Sequence, residues 1–120
     1  MRWLSLVLVV TVCATAHAAE VSLYVTPGGD DANPGTLAKP FATLARARDE
    51  ARKLKAGGAV TVYVRGGIYE LTAPLTLGAE DSGTVARPVV YRAYRGEKPV
   101  LVGARRVSGF RPWKGSILQC

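Results

Sequence analysis

Two stretches decide the fold class: LYVTPGGDDANPGTLAKPFAT, residues 23–43, and VTVYVRGGIYELTAPLTL, residues 60–77. In the first, Leu23 and Val25 face one side of an extended chain and Tyr24 the other, which predicts a short strand over Ser22–Thr26. Pro27-Gly28-Gly29 ends that strand, and Asn33-Pro34-Gly35 is a turn, because proline fixes one backbone angle and glycine tolerates positive φ. Pro40 keeps Lys39 out of the helical region. In the second stretch Val60, Val62 and Val64 point one way and Thr61 and Tyr63 the other. Gly66-Gly67 then turns the chain toward short strands at Ile68–Leu71 and Leu75–Leu77.

Between these stretches the hydrophobic period is 3.6. Leu44, Ala47, Ala51 and Leu54 form one apolar stripe of a helix running to about Ala56, with Thr43 as its N-cap and Gly57-Gly58 as its terminator. Arg46 with Glu50 and Asp49 with Lys53 are expected as four-apart ion pairs. Downstream, the spacing predicts strands over Val89–Tyr94 and Val100–Val102 and a weaker one near Arg106–Ser108. Short strands with no helix between them exclude an alternating β-α architecture. Pro74-Leu75-x-Leu77-Gly78 recurs as Pro99-Val100-x-Val102-Gly103, an offset of 25 residues (74 to 99), within the range of stacked solenoid repeats. Two similar strand starts in a β-sandwich would give the same echo.

The amino terminus reads as a secretory signal peptide over residues 1–18. Arg2 precedes an apolar run from Trp3 to Val12, and Ala16-His17-Ala18 supplies small residues at the cleavage site. That run is about half of the roughly 20 residues a spanning helix needs, so no stable membrane insertion is expected after cleavage. Val12 stands where a lipoprotein signal requires a small residue before Cys13. Cleavage removes His17, the sole histidine, and Cys13, leaving Cys120 as the last cysteine. Residues 19–120 therefore hold no Ser-His-Asp or Cys-His nucleophile system, no histidine-based or multi-cysteine zinc site and no internal disulfide. The expected location is extracytoplasmic, secreted or periplasmic.

The net charge falls from +7 over 120 residues to +6 without Arg2, fifteen basic residues against nine acidic. A basic excess suits acidic polysaccharide, anionic membrane or nucleic acid, and is also what ordinary solvated arginines give. No motif that reads RNA or DNA is present, so nucleic acid is not expected as a partner.

Leu23-Tyr24-Val25-x-Pro27-x-Gly29-x-Asp31, Asn33-Pro34-Gly35-Thr36 and Pro40-Phe41-x-Thr43-Leu44 resemble the amino-terminal segment of bacterial right-handed parallel β-helix proteins of the pectate-lyase-like superfamily. Val62-Tyr63-Val64-Arg65-Gly66-Gly67-x-Tyr69, Asp81-Ser82-Gly83-Thr84 and Tyr91-x-Ala93-Tyr94-x-Gly96-Glu97-x-Pro99-Val100 continue the likeness. The resemblance implies a mainly β fold, the first coils of a right-handed parallel β-helix, with an N-terminal capping α-helix. It divides the chain into a signal peptide (1–18), a strand, loop and capping helix (19–58) and the first coils (59–120). The open apolar segment Ser116-Ile117-Leu118 at the end predicts truncation at the C-terminus.

The resemblance further implies a secreted carbohydrate-active protein acting on a polysaccharide or glycan, with its active site beyond residue 120. A glycoside hydrolase would use paired carboxylates on later coils. A polysaccharide lyase would use a base, with calcium acidifying the proton beside a uronate carboxylate. The alternative is a non-catalytic adhesion or glycan-binding β-helix protein.

Within the chain, Asp30, Asp31 and Asn33 offer oxygen ligands for calcium, or side chains bonding their own turn. Glu80-Asp81 is an acidic pair on a loop and reads most simply as a turn. Arg65-Gly66-Gly67 is either an anion-binding nest or a glycine turn with an exposed arginine. Tyr63, Tyr69, Tyr91, Tyr94 and Trp113 can stack on sugar rings or pack between coils. No residue is assigned to catalysis or to a cofactor, and no metal-ligand set is complete.

Overall fold

Alternating valines set the architecture of the computed structural model, which describes residues 19–120. Strand β1 (Val21–Val25) pairs in parallel with β2 (Val60–Val64), and β2 with β4 (Val89–Ala93). The register runs Val21↔Val60↔Val89 through to Val25↔Val64↔Ala93. A second parallel pair, β3 (Gly67–Glu70) with β5 (Pro99–Val102), follows the turn after β2 and β4. The chain is thus mainly β with parallel strands and one α-helix, α1 (Leu44–Leu54). The signal-peptide assignment lies outside the described residues.

Leu23, Val25, Val60, Val62 and Val64 turn inward and form one core with Phe41, Tyr69 and the helical residues Leu44, Ala47 and Ala51. The helix is two residues shorter at its C-terminal end than its pattern suggests. Thr43 caps it as expected, its Oγ1 accepting from the Arg46 amide at 3.1 Å, and the Gly57 amide donates to the Leu54 carbonyl at 3.0 Å. Its buried stripe contacts β1 and β2.

Phe41 closes the free edge of β1. Its amide donates to the Tyr24 carbonyl and its carbonyl accepts from the Thr26 amide, both at 2.9 Å, while the Tyr24 amide donates to the Gly35 carbonyl at 2.8 Å. One residue in isolated parallel pairing with Val25 thereby satisfies an edge that would otherwise recruit another chain. Gly35, at φ 79, lies against the Phe41 ring so closely that a methyl group there would overlap it. Asp31 fixes the loop from the other side. Its Oδ1 accepts the Ala42 and Thr43 amides at 2.9 Å each, and its Oδ2 the Thr43 hydroxyl at 2.7 Å.

Three expectations are corrected. Leu75–Leu77 and Arg106–Ser108 are not strands: neither stretch has a pairing partner among the described residues, and the Thr76 carbonyl instead accepts from Arg48 Nη1 at 3.0 Å. The 25-residue echo is not a coil repeat, because strand pairing sets separations of 29 residues (60 to 89) and 32 residues (67 to 99). Residues after β5 do not form a further parallel coil. β6 (Arg111–Lys114) and β7 (Ile117–Gln119) make an antiparallel hairpin around Gly115-Ser116, with Gly115 at φ 59 as a two-residue hairpin turn requires. Both hairpin strands are exposed.

Phe41 has no exposed surface, so Phe41→Ala is expected to cost about 3–5 kcal/mol in denaturant unfolding, the range for deleting a buried aromatic ring. Gly35→Ala should also destabilise through strain and overlap. Unchanged midpoints for both would show that the edge does not depend on this wedge.

Candidate functional site

Each acidic group that the sequence offers for chemistry is already engaged by a neighbour. Asp31 holds the start of α1, Asp30 Oδ1 accepts the Ala32 amide at 2.8 Å, and Asn33 Nδ2 donates to the Pro40 carbonyl at 3.0 Å. These polar side chains of the loop are taken up by groups within residues 32–43, and no cluster of three metal-ligating side chains exists among the described residues.

Glu80 and Asp81 lie in a short 3₁₀ turn, Ala79–Asp81, beside α1. Arg52 donates to both Asp81 oxygens, at 2.6 and 2.8 Å, and its Nη2 stands 3.1 Å from Glu80. The Asp81 carboxylate also accepts the Gly78 amide at 2.7 Å, and only 6 % of its side chain is exposed. The Arg52 hydrogen bonds hold its pKa down at about 2. Lys55 Nζ reaches the Glu80 and Ser82 carbonyls. This network ties the helix to the loop before β4 and leaves no free carboxyl pair. The expected Asp49–Lys53 pair is absent: Lys53 turns to Glu50 at 3.4 Å, and Asp49 takes Arg48 at 2.8 Å. Arg46–Glu50 forms as read, at 2.7 Å.

Arg65-Gly66 does cradle an anion, and the anion is the chain's own Glu97. Arg65 Nε and Nη2 each stand 2.9 Å from a Glu97 oxygen, and the Gly66 amide donates to Oε2 at 2.6 Å. The Arg65 contacts, then the Gly66 amide, lower the Glu97 pKa. Nearby, the buried Tyr69 hydroxyl contacts the Arg65 carbonyl at 2.7 Å and the Val25 carbonyl at 3.0 Å. Burial, reinforced by the Glu97 charge, pushes its pKa up to about 12.

Two surfaces are left with unspent chemistry. One is an apolar cleft of about 320 Å³ walled by Leu44, Leu75, Leu77, Tyr91 and Leu101. Leu77 and Leu101 are 54 % and 50 % exposed there, and the Tyr91 hydroxyl is buried with no hydrogen-bond partner among the described residues. The other is the outer face of the β1–β2–β4 sheet. Tyr24 and Tyr63 are register partners with rings stacked at 5.3 Å, and Tyr94 sits edge-on to both at 5.8 and 5.7 Å. The strand alternation places Tyr24 outward, but only the 39-residue step from β1 to β2 (21 to 60) shows that it meets Tyr63. Tyr69 and Tyr91 belong to the interior, and Trp113 is exposed on the hairpin.

No protein-family profile matches the chain. It is 42 % identical over 81 residues to the Uncharacterized protein YwoF of Bacillus subtilis, covering 68 % of this chain and 15 % of that protein. It is 38 % identical over 81 residues to Pectate lyase PEL9 of Emericella nidulans, covering 68 % of this chain and 18 % of that one. Among solved structures, a glycoside hydrolase superposes with a TM-score of 0.72 at 35 % identity, over 78 % of this chain and 16 % of that one. XylC in complex with xylose gives 0.63 at 26 % identity, over 83 % and 14 %. A rhamnogalacturonan lyase gives 0.53 at 27 %, over 68 % and 21 %. The chain is pectate-lyase-like, and it spans less than a fifth of the length of its curated relatives.

Asp81 and Glu97 have lowered folded pKa values, so their stabilisation is complete above the ordinary carboxylate range and is lost as pH falls through those lowered values, about 2 for Asp81. Asp81→Asn and Glu97→Gln should each lower the melting temperature at neutral pH and flatten its fall in acid; parallel acid limbs would refute this. Tyr69 has a raised value, so its contribution is complete below pH 10 and is lost toward about 12. Tyr69→Phe should cost about 1–2 kcal/mol near neutrality for the lost hydrogen bond, whose single proton is shared between the Arg65 and Val25 carbonyls. The gap from the unmutated chain should close as pH rises through that window.

Proposed function

We propose that the chain forms the opening coils of a right-handed parallel β-helix, with α1 as its cap, in an exported carbohydrate-active protein. The observation that carries this reading is the in-register parallel stacking of β1, β2 and β4 beside a second parallel pair, β3 and β5. A solved glycoside hydrolase and a rhamnogalacturonan lyase superpose on this chain, and the sequence relatives include a pectate lyase. In this reading residues 19–58 form the entry strand, loop and cap, residues 59–102 the first coils, and the β6–β7 hairpin follows them. The apolar cleft at Leu77 and Leu101, with the unpartnered Tyr91 hydroxyl, is where the next coil continues the core. Residues 1–18 direct export, and no helix among the described residues is long and apolar enough to cross a membrane.

The reaction is assigned to coils beyond residue 120, because the acidic groups of the Arg52 and Arg65 networks are committed to holding the fold. A pair of carboxylates flanking a groove would make the protein a hydrolase; a base with calcium bound near a uronate would make it a lyase. The same commitment of carboxylates favours, as the second reading, a glycan-binding protein without turnover.

Turnover of neutral and acidic polysaccharides by the full-length product, with and without chelator, separates these outcomes. New reducing ends without an unsaturated product indicate hydrolysis. Chelator-sensitive unsaturated product indicates a lyase. Binding without either supports the second reading, and neither binding nor turnover on any polysaccharide would overturn the carbohydrate assignment.

A further inference from the structure

The outer face of the β1–β2–β4 sheet holds a cavity of about 310 Å³ whose walls include Tyr24, Leu37, Tyr63, Arg92, Tyr94 and Arg95. We propose that it is a binding site for an anionic sugar residue, with the tyrosines and Leu37 against the ring and the Arg92 and Arg95 guanidiniums on its carboxylate.

Charge is the first argument. Arg46, Arg48, Arg52 and Arg65 each meet a carboxylate of the chain, whereas Arg92 and Arg95 form no ion pair with any described residue. Among the described residues no carboxylate lines the cavity. Two exposed guanidiniums therefore face a recess with nothing to neutralise them, and planar guanidinium forks suit carboxylates.

Backbone conformation is the second. The Glu97 amide donates to the Tyr94 carbonyl at 2.7 Å, closing a turn whose central residues, Arg95 and Gly96, have φ 39 and 76. Arg95 is the one non-glycine residue at positive φ among those described. Turns with both central residues at positive φ favour Asn or Gly at that place, so the arginine is held against local preference. It is exposed and supports no core packing. Its guanidinium lies 5.4 Å from the Tyr94 ring centre, at the cavity rim.

Preorganisation is the third. The three tyrosine rings pack on one another, and Arg65, fixed by Glu97, covers the Tyr94 ring at 4.9 Å. The wall is thus rigid before any ligand arrives, which limits the ordering cost of binding. A recess this size falls at the lower end of the roughly 300–1,000 Å³ of ligand pockets and suits one or two sugar rings.

The choice of a sugar among anions rests on the carbohydrate reading above, and the test separates the two. Titration calorimetry of the full chain would use a galacturonate tetrasaccharide, its methyl-esterified counterpart and dextran sulfate. Arg95→Gly is the central variant because glycine accepts the positive φ: the fold should be kept, with an unchanged or higher melting temperature. Arg92→Gln is the second.

The expected result is that the acid tetrasaccharide binds, that each variant weakens it about tenfold or more, as loss of a charge-assisted contact does, and that the ester binds correspondingly weaker. Equal affinity of either variant and the unmutated chain, equal binding of acid and ester, or dextran sulfate binding with the same dependence on Arg92 and Arg95 would overturn the proposal. None of these outcomes depends on turnover, so a hydrolase or lyase lacking this site and a non-catalytic protein possessing it are distinguishable.

Discussion

Burial of Phe41 against the open edge of β1 is the constraint on which the rest of the structure depends. Its backbone completes the hydrogen bonds of Tyr24 and Thr26, its ring enters the core beside Val25 and Leu44, and Arg46 lies over the ring at 4.6 Å. A parallel stack has two exposed liabilities, the edge of its first strand and the apolar end of its interior. The loop from Asp30 to Thr43 answers the first, α1 lays its buried stripe against β1 and β2, and both are fixed by the same few residues. Asp31 links them, because the amides it accepts, Ala42 and Thr43, lie between the wedge and the helix.

The electrostatics follow from that packing. With sixteen basic and nine acidic residues, carboxylates are the scarcer charge, and the fold uses several as struts. Asp81 joins the helix to the loop before β4, and Glu97 joins the turn after β2 to the turn after β4. A strut carboxylate must stay ionised, whereas a general acid at neutral pH must keep its proton; the lowered pKa values of Asp81 and Glu97 suit the first role. The surplus arginines carry no such obligation, so the chemistry available to a partner in this part of the chain is cationic and aromatic.

Much of this was legible in the sequence because it is local. The helix, its Thr43 cap, its apolar stripe and the inward valines of β1 and β2 follow from periodicity and capping, and they stand where the spacing puts them. What was not legible depends on which residues meet across coils. Leu75–Leu77 has strand-like alternation yet no partner, and the 25-residue echo loses to pairings set by loop lengths between the turns. The Arg65-Gly66 nest was visible as a motif, but its occupant, Glu97, lies 32 residues ahead of Arg65 in the chain. The tyrosine face needed the register, since Tyr24 and Tyr63 are separated by the whole loop and helix. The terminal hairpin contradicts the expectation of continued coils, and its cause is again local: Gly115 permits a two-residue reversal.

The step from β1 to β2 takes 39 residues and the step from β2 to β4 takes 29, yet the alignment of side chains is continuous through all three strands. Register in a parallel stack is set by which residues face the core, since a slip of one would turn every valine outward. Connection length is therefore free to vary, and the chain uses that freedom to insert an entire helix between two paired strands. Outward positions inherit the fixed register without sharing the core's demand for valine. Rows of outward side chains such as Tyr24, Tyr63 and Arg92 can then change identity at little cost to the fold, while residues far apart in sequence are held a strand spacing apart. In such an architecture recognition chemistry belongs on the outer rows, where position is inherited from the core and composition is not.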